Sequence, residues 1–99
     1  MIAVIVINYR RAADTLECLD SLLRVTKPAF DIFLVDNGSS ADDVTQLREY
    51  AARHADRINF TVFNENYGFT GAHTRLFEQL VPPRRYNYFL LLNNDTVVE

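Results

Sequence analysis

Four apolar runs separated by three stretches of helical periodicity constrain this chain more than any other feature. The runs are Ile2–Ile7 (IAVIVI), Asp31–Val35 (DIFLV), Ile58–Phe63 (INFTVF) and Tyr86–Leu92 (YNYFLLL). Runs one, two and four are almost continuously apolar and rich in β-branched or aromatic residues, the pattern of strands covered on both faces in a parallel sheet. The third carries Asn59 and Thr61 between its apolar residues, which places it at an edge. A first helix is expected from Asp14, with Asp14 and Glu17 at capping-box spacing. Leu16, Leu19, Leu22 and Leu23 form one face, and Pro28 marks the end. A second helix follows Ser40, with Asp42 and Asp43 in its first turn and Val44, Leu47 and Ala51 inward. The third is expected from Thr70 or Gly71, with Ala72, Leu76, Phe77 and Leu80 inward, until Pro82–Pro83 stops it.

The order β-α-β-α-β-α-β with right-handed crossovers predicts an α/β fold, a Rossmann-like doubly wound parallel sheet of strand order 3-2-1-4. Its 99 residues suit a single domain 1–99, and 48% hydrophobic with 23% charged residues is the balance of a packed globular chain. A net charge of -3 gives no electrostatic basis for binding nucleic acid. The single cysteine, Cys18, permits no internal disulfide and sits among leucines as a small core residue. No segment approaches the ~20 consecutive apolar residues of a membrane span.

Ligands of open parallel sheets bind at the carboxyl ends of the strands, near the reversal of strand order. Here those ends read Asn8-Tyr9-Arg10, Asp36-Asn37-Gly38-Ser39, Asn64-Glu65-Asn66-Tyr67-Gly68 and Asn93-Asn94-Asp95. Amides, carboxylates and an aromatic ring on one rim suit a nucleotide: a ring stacks on the base, amides read its edge, and a carboxylate holds a cation between phosphates. The same residue types also serve as turn formers and helix caps, so each cluster alone reads more readily as structural than as functional. Gly68-Phe69-Thr70-Gly71 is neither a dinucleotide-binding nor a Walker loop. The acidic pair of a response regulator is missing after the first strand. His54 and His73 fall in different helices and read as surface or boundary residues rather than metal ligands.

The segments Val4-Ile5-Val6-Ile7-Asn8-Tyr9, Cys18-Leu19-Asp20-Ser21-Leu22, Phe33-Leu34-Val35-Asp36-Asn37-Gly38-Ser39, Asn66-Tyr67-Gly68-Phe69-Thr70-Gly71 and Leu91-Leu92-Asn93-Asn94-Asp95 stand in an order that resembles the family-2 glycosyltransferases of GT-A fold. The match is closest to bacterial rhamnosyltransferase-like members that use deoxythymidine-diphosphate sugars. The resemblance implies an inverting transfer from a dTDP- or UDP-linked sugar donor to a glycan or lipid-linked acceptor, at the cytoplasmic face of the membrane. It implies that Asn8 belongs to the nucleotide-binding residues, that Tyr9 lies beside the base, that Asp36 and Asn37 reach the base edge or ribose, and that Asn66 and Gly68 begin a segment closing over the nucleotide. It also implies that Asn94 is nucleotide-binding, in the Asn93-Asn94-Asp95 motif at the diphosphate, and that Asp95 holds Mg²⁺ or Mn²⁺ there.

Departures from the family pattern are Asn37, where a second acid is common, Arg10, and the run His73-Thr74-Arg75-Leu76. By the same resemblance the general base and acceptor pocket are expected beyond Glu99, so the chain corresponds to the nucleotide-binding front part of a larger domain. It is then expected to bind nucleotide weakly, to transfer no sugar, and to self-associate through the open edge of its fourth strand. The non-enzymatic alternatives are a nucleotide-binding module or a structural domain of the same fold.

Overall fold

A computed structural model describes residues 1–79 and 85–98. The element order is β1 (Ile2–Asn8), α1 (Ala12–Leu23), β2 (Phe30–Asn37), α2 (Ala41–Arg53), β3 (Ile58–Phe63), α3 (Gly68–Gln79) and β4 (Tyr88–Leu92). The strands form one sheet of order β3-β2-β1-β4, as the alternation of runs and helices predicts. Every neighbouring pair is parallel, with Asn8 opposite Asp36 in the β1–β2 register. All four carboxyl ends therefore open on one rim, and the strand order reverses between β1 and β4.

Alternation along β1 and β2 divides the core between the two faces of the sheet. Val4, Val6, Ile32 and Leu34 pack under α1 and α2 with Leu19, Leu22 and Leu47. Ala3, Ile5, Phe33 and Val35 pack under α3 with Ala72 and Leu76. Each fully buried Val, Leu or Ile among them stabilises the fold by roughly 1.5–3 kcal/mol relative to exposure. The two helices on one face and one on the other fix which side of the rim stays open.

Several sequence expectations change at element boundaries. Helix α1 begins at Ala12, two residues before Asp14, and its N-cap Arg11 makes no side-chain capping bond. Its capping acceptor comes from α2 instead: Asp43 Oδ2 accepts the Ala12 N–H at 3.2 Å. Asp14 pairs with Arg11 at 3.1 Å. Helix α2 begins as expected, with Ser40 accepting the Asp43 N–H. Helix α3 begins at Gly68 rather than at Thr70 or Gly71, because Gly68 supplies the positive φ of +74° that turns the chain into it. Phe77 is 38% exposed rather than inward, its ring edge-on to Phe89. Leu80, Pro82 and Pro83 lie outside the described residues.

Strand β4 corrects another expectation. Its apolar run suggested a strand covered on both faces, yet Tyr88, Phe89, Leu90 and Leu91 are all exposed. The helices pack over β1, β2 and β3, so the faces of β4 at the sheet edge are left largely uncovered.

Tyr86, just before β4, is buried and donates its hydroxyl to Asp31 Oδ2 at 2.6 Å. Burial, followed by the hydrogen bond and charge of Asp31, pushes its phenol up to about 12. Burial and Asp20 push the phenol of Tyr50 in the same direction. A tyrosine in the unfolded chain ionises near ~10. The folded state holds these protons more tightly, so their stabilisation is complete below about pH 10 and lost as pH rises through about 12. Urea midpoints measured across that window are expected to fall, and Tyr86→Phe to flatten part of the fall. A midpoint independent of pH there would contradict the Asp31 latch.

Candidate functional site

The carboxyl ends of β1, β2 and β4 enclose a cavity of about 300 Å³ on the α3 side of the sheet. Tyr9 and Phe69 contribute aromatic walls, Ile7, Leu91 and Leu92 apolar ones, and Asn37, Asn66, Asn93 and Asn94 amides. No charged side chain lines it among the described residues. Its size falls at the lower end of small-ligand sites, and its mixture of apolar walls with a few amides is their usual chemistry.

The expected site residues divide between two layers. Tyr9, Asn37, Asn66, Gly68 and Asn94 line the cavity. Asn8 and Asp36 do not: both are fully buried, on the opposite side of the sheet from the cavity. Asn8 Nδ2 donates to Asp36 Oδ1 at 2.9 Å, and weakly to Ser39 Oγ and Asp43 Oδ2. Asn8 Oδ1 accepts the Thr15 hydroxyl at 2.6 Å, and Thr15 Oγ1 in turn accepts from Asn94 Nδ2 at 3.0 Å. Asp36 Oδ2 accepts the Ser39 N–H at 2.8 Å. A continuous polar relay thus ties the ends of β1, β2 and β4 to α1 from beneath the rim. Among the described residues no buried side-chain polar atom lacks a partner, as such a network requires.

Asn37 works on the cavity side. Its Nδ2 donates to Asn66 Oδ1 at 3.0 Å and to the Gly68 carbonyl at 3.3 Å, and its Oδ1 accepts the Tyr67 N–H at 3.0 Å. Asn66 Oδ1 also accepts the Gly68 N–H at 2.8 Å. Asn37 therefore fastens the segment that leads into α3, and one lone pair of its Oδ1 is left for a ligand donor. Gly38 makes that fastening possible. A Cβ on Gly38 would stand 2.5 Å from the Glu65 carbonyl carbon and 2.6 Å from the Asn66 nitrogen, and its φ is +85°.

Asp95 is exposed and follows the wall residues Asn93 and Asn94. Its charge reaches Cys18, whose thiol is pushed up to about 11 by burial first and by Asp95 second. Cys18 is buried, in line with its reading as a core residue, and contacts the Asn93 carbonyl.

Among the polar and aromatic lining residues, Phe69 and His73 were not anticipated as site residues. His73 is 9% exposed and lines the wall, where the sequence suggested a surface or boundary residue rather than a metal ligand. Its Nδ1 lies 2.7 Å from the Phe69 carbonyl, so Nδ1 carries the proton that bonds it. Phe69 stacks on the His73 ring at 4.3 Å between centroids. The signal available was the i, i+4 spacing of Phe69 and His73, which falls on a helix only once Gly68 is taken as its start.

The four-stranded parallel sheet, with an amide-rich cavity at its strand-order reversal, defines a domain of the doubly wound α/β class. The sequence profile described as Glycosyl transferase family 2 matches residues 3–99, and the chain belongs to that family. It is 31% identical over 102 residues to the hyaluronan synthase of Streptococcus pyogenes, a match covering 98% of this chain and 23% of that protein. The chain thus spans about a quarter of the length of these curated relatives. Among solved structures it superposes on a mannosyltransferase of Pyrobaculum calidifontis in complex with GDP-Man and Mn2+ with a TM-score of 0.75. That match is 20% identical and covers 97% of this chain and 28% of that one. It also superposes on S. aureus TarS 1-349 in complex with UDP, with a TM-score of 0.73 at 21% identity, covering 95% of this chain and 27% of that one. These structural likenesses establish the GT-A fold.

Proposed function

We propose that the cavity is the donor site of an inverting glycosyltransferase and takes a nucleoside diphosphate sugar with a pyrimidine base. The observation that carries this reading is the neutral cavity at the strand-order reversal, walled by Tyr9 and Phe69 and edged by amides. Tyr9 offers a face for the base, and the remaining lone pair of Asn37 Oδ1 suits the N3–H of uracil or thymine. Asn66 and Gly68 cover the nucleotide from the segment that Asn37 fastens. Asn8 and Asp36 act from below, by fixing the strand ends that carry these groups. Uridine- and thymidine-diphosphate sugars both meet this description. The rhamnosyltransferase-like members remain the subfamily we propose, with a glycan or lipid-linked acceptor.

Among the described residues no group of three or more His, Cys, Asp or Glu side chains could hold a metal ion. A single exposed carboxylate nevertheless fits Mg²⁺ or Mn²⁺ delivered with a diphosphate, because Mg²⁺ keeps several waters and takes only one or two carboxylates. Asp95 would hold the cation, which when bound supplies Lewis-acid stabilisation of the departing diphosphate. The sugar's anomeric carbon is attacked directly by the acceptor hydroxyl as the bond to the diphosphate oxygen breaks. In this reading the base that takes the acceptor proton lies outside residues 1–99 and the chain alone transfers no sugar.

The test is UDP binding by calorimetry with and without Mg²⁺, on the wild type and on Asp95→Ala. Mg²⁺ is expected to tighten wild-type binding about 10-fold or more, a gain of ~1.4 kcal/mol, and to leave Asp95→Ala unchanged. Equal metal enhancement in both would remove Asp95 from the site. A nucleotide-binding module without transfer activity would give the same binding, so transfer is assayed separately on the chain extended to the length of its relatives.

A further inference from the structure

The cavity is neutral, yet the ligand proposed for it carries a diphosphate, so the charge that receives those phosphates has to come from its rim. Arg10 directly follows the wall residue Tyr9, and its guanidinium carbon lies 4.9 Å from the centre of the Tyr9 ring. Other arginines near this rim are engaged: Arg11 pairs with Asp14, and Arg75 lies 3.5 Å over the Tyr67 ring while bonding the Gly71 carbonyl. Among the described residues Arg10 makes no ion pair.

Its backbone is also unusual. Arg10 has φ +57°, and no other described non-glycine residue has a positive φ. An L-residue with a β-carbon is strained there, whereas glycine is not. The conformation is pinned by the Arg10 N–H, which donates to Ser39 Oγ at 2.8 Å, and Ser39 is itself held by Asp36. A turn alone would be served better by glycine. Strained residues persist where the surroundings over-determine them and the side chain has a task.

We propose that Arg10 is the diphosphate-binding cation of this site, with its strained backbone aiming the guanidinium across Tyr9 at the cavity mouth. A planar guanidinium offers paired N–H donors that match two phosphate oxygens, which a lysine cannot reproduce. The inference rests on the donor-site reading and adds a second charge to it, opposite in sign to Asp95 and independent of metal.

The test is an NMR shift titration with UDP and with uridine, without metal, on the wild type and on Arg10→Ala, Arg10→Lys and Arg10→Gly, alongside thermal melts. Arg10→Ala is expected to weaken UDP about 10-fold or more while uridine binding is unchanged, and to make UDP affinity less dependent on salt. Arg10→Lys should lose part of this. Arg10→Gly should lose UDP affinity to the same extent while melting at the wild-type temperature or above, because it relieves the strain. Unchanged UDP affinity in Arg10→Ala would overturn the proposal and leave the donor site standing. Equal losses for UDP and uridine with a lowered melting temperature would assign Arg10 a structural role only. A wild type that binds neither ligand would overturn the donor-site reading, and this proposal with it.

Discussion

Replacing Asn8 with leucine is expected to destabilise the fold by about 3–4 kcal/mol, although the two side chains are close in size. Asn8 is fully buried, and its amide joins Asp36, Ser39 and Asp43 on one side to Thr15 on the other. Leucine removes the donor from a carboxylate with no exposed surface, leaving it only the Ser39 N–H. It also leaves the Thr15 hydroxyl without its acceptor. An uncompensated buried charge costs far more than the gain from one additional aliphatic contact. Urea denaturation would show the midpoint lowered by more than about 1 M with little change in slope. The double variant Asn8→Leu, Asp36→Leu should recover part of the loss, because both polar partners are then gone. A loss below about 1 kcal/mol, the size of one ordinary hydrogen bond, would mean that the relay does not hold the rim together.

Gly38→Ala is expected to cost about 3 kcal/mol or more and to abolish nucleotide binding. Two effects add. An alanine at φ +85° is strained by about 1–2 kcal/mol. Its methyl group would also meet the backbone at Glu65 and Asn66, within 2.6 Å of both. Those atoms cannot swing aside like a side-chain tip, so the 64–68 segment must retreat from β2. Retreat breaks the three bonds by which Asn37 holds Asn66, Tyr67 and Gly68, each worth about 0.5–1.5 kcal/mol. Gly68→Ala is the control: its φ is also positive, at +74°, but a Cβ there meets nothing within 4 Å. It should cost only the conformational strain, about 1–2 kcal/mol, and leave the cavity wall in place. Thermal melts with nucleotide titrations separate the two variants, and equal losses for both would refute the close-approach argument.

These two positions mark where the sequence was readable and where it was not. The parallel sheet was legible because Ile2–Asn8 and Phe30–Asn37 carry continuous apolar runs, and such runs are stable only when both faces are covered. The rim followed from chain direction alone, since parallel strands bring all their carboxyl ends together. Which polar residues face the cavity was not legible. Asn8 and Tyr9 are adjacent, yet a strand sends successive side chains to opposite faces, so Asn8 is sealed under α1 while Tyr9 lines the wall. Asp36 and Asn37 divide in the same way. The capping of α1 was hidden because its acceptor, Asp43, is 31 residues away in sequence. The open edge at β4 followed from the 3-2-1-4 order, but the exposure of its faces was hidden, because an apolar run records composition and not which helices cover it. The strain at Arg10 has no sequence signature, since arginine, unlike glycine or asparagine, does not announce a positive φ.

The most direct test of the donor site is a backbone amide NMR titration of the 99-residue chain with UDP, dTDP and GDP, each with and without Mg²⁺. The donor-site proposal predicts saturable shifts at Tyr9, Asn37, Asn66–Phe69, His73 and Asn93–Asp95. They should be larger for the pyrimidine nucleotides than for GDP and strengthened by the cation. Shifts confined to the opposite end of the sheet, around Asp31, Asp56 and Tyr86, or none at saturating nucleotide on a folded chain, would contradict it.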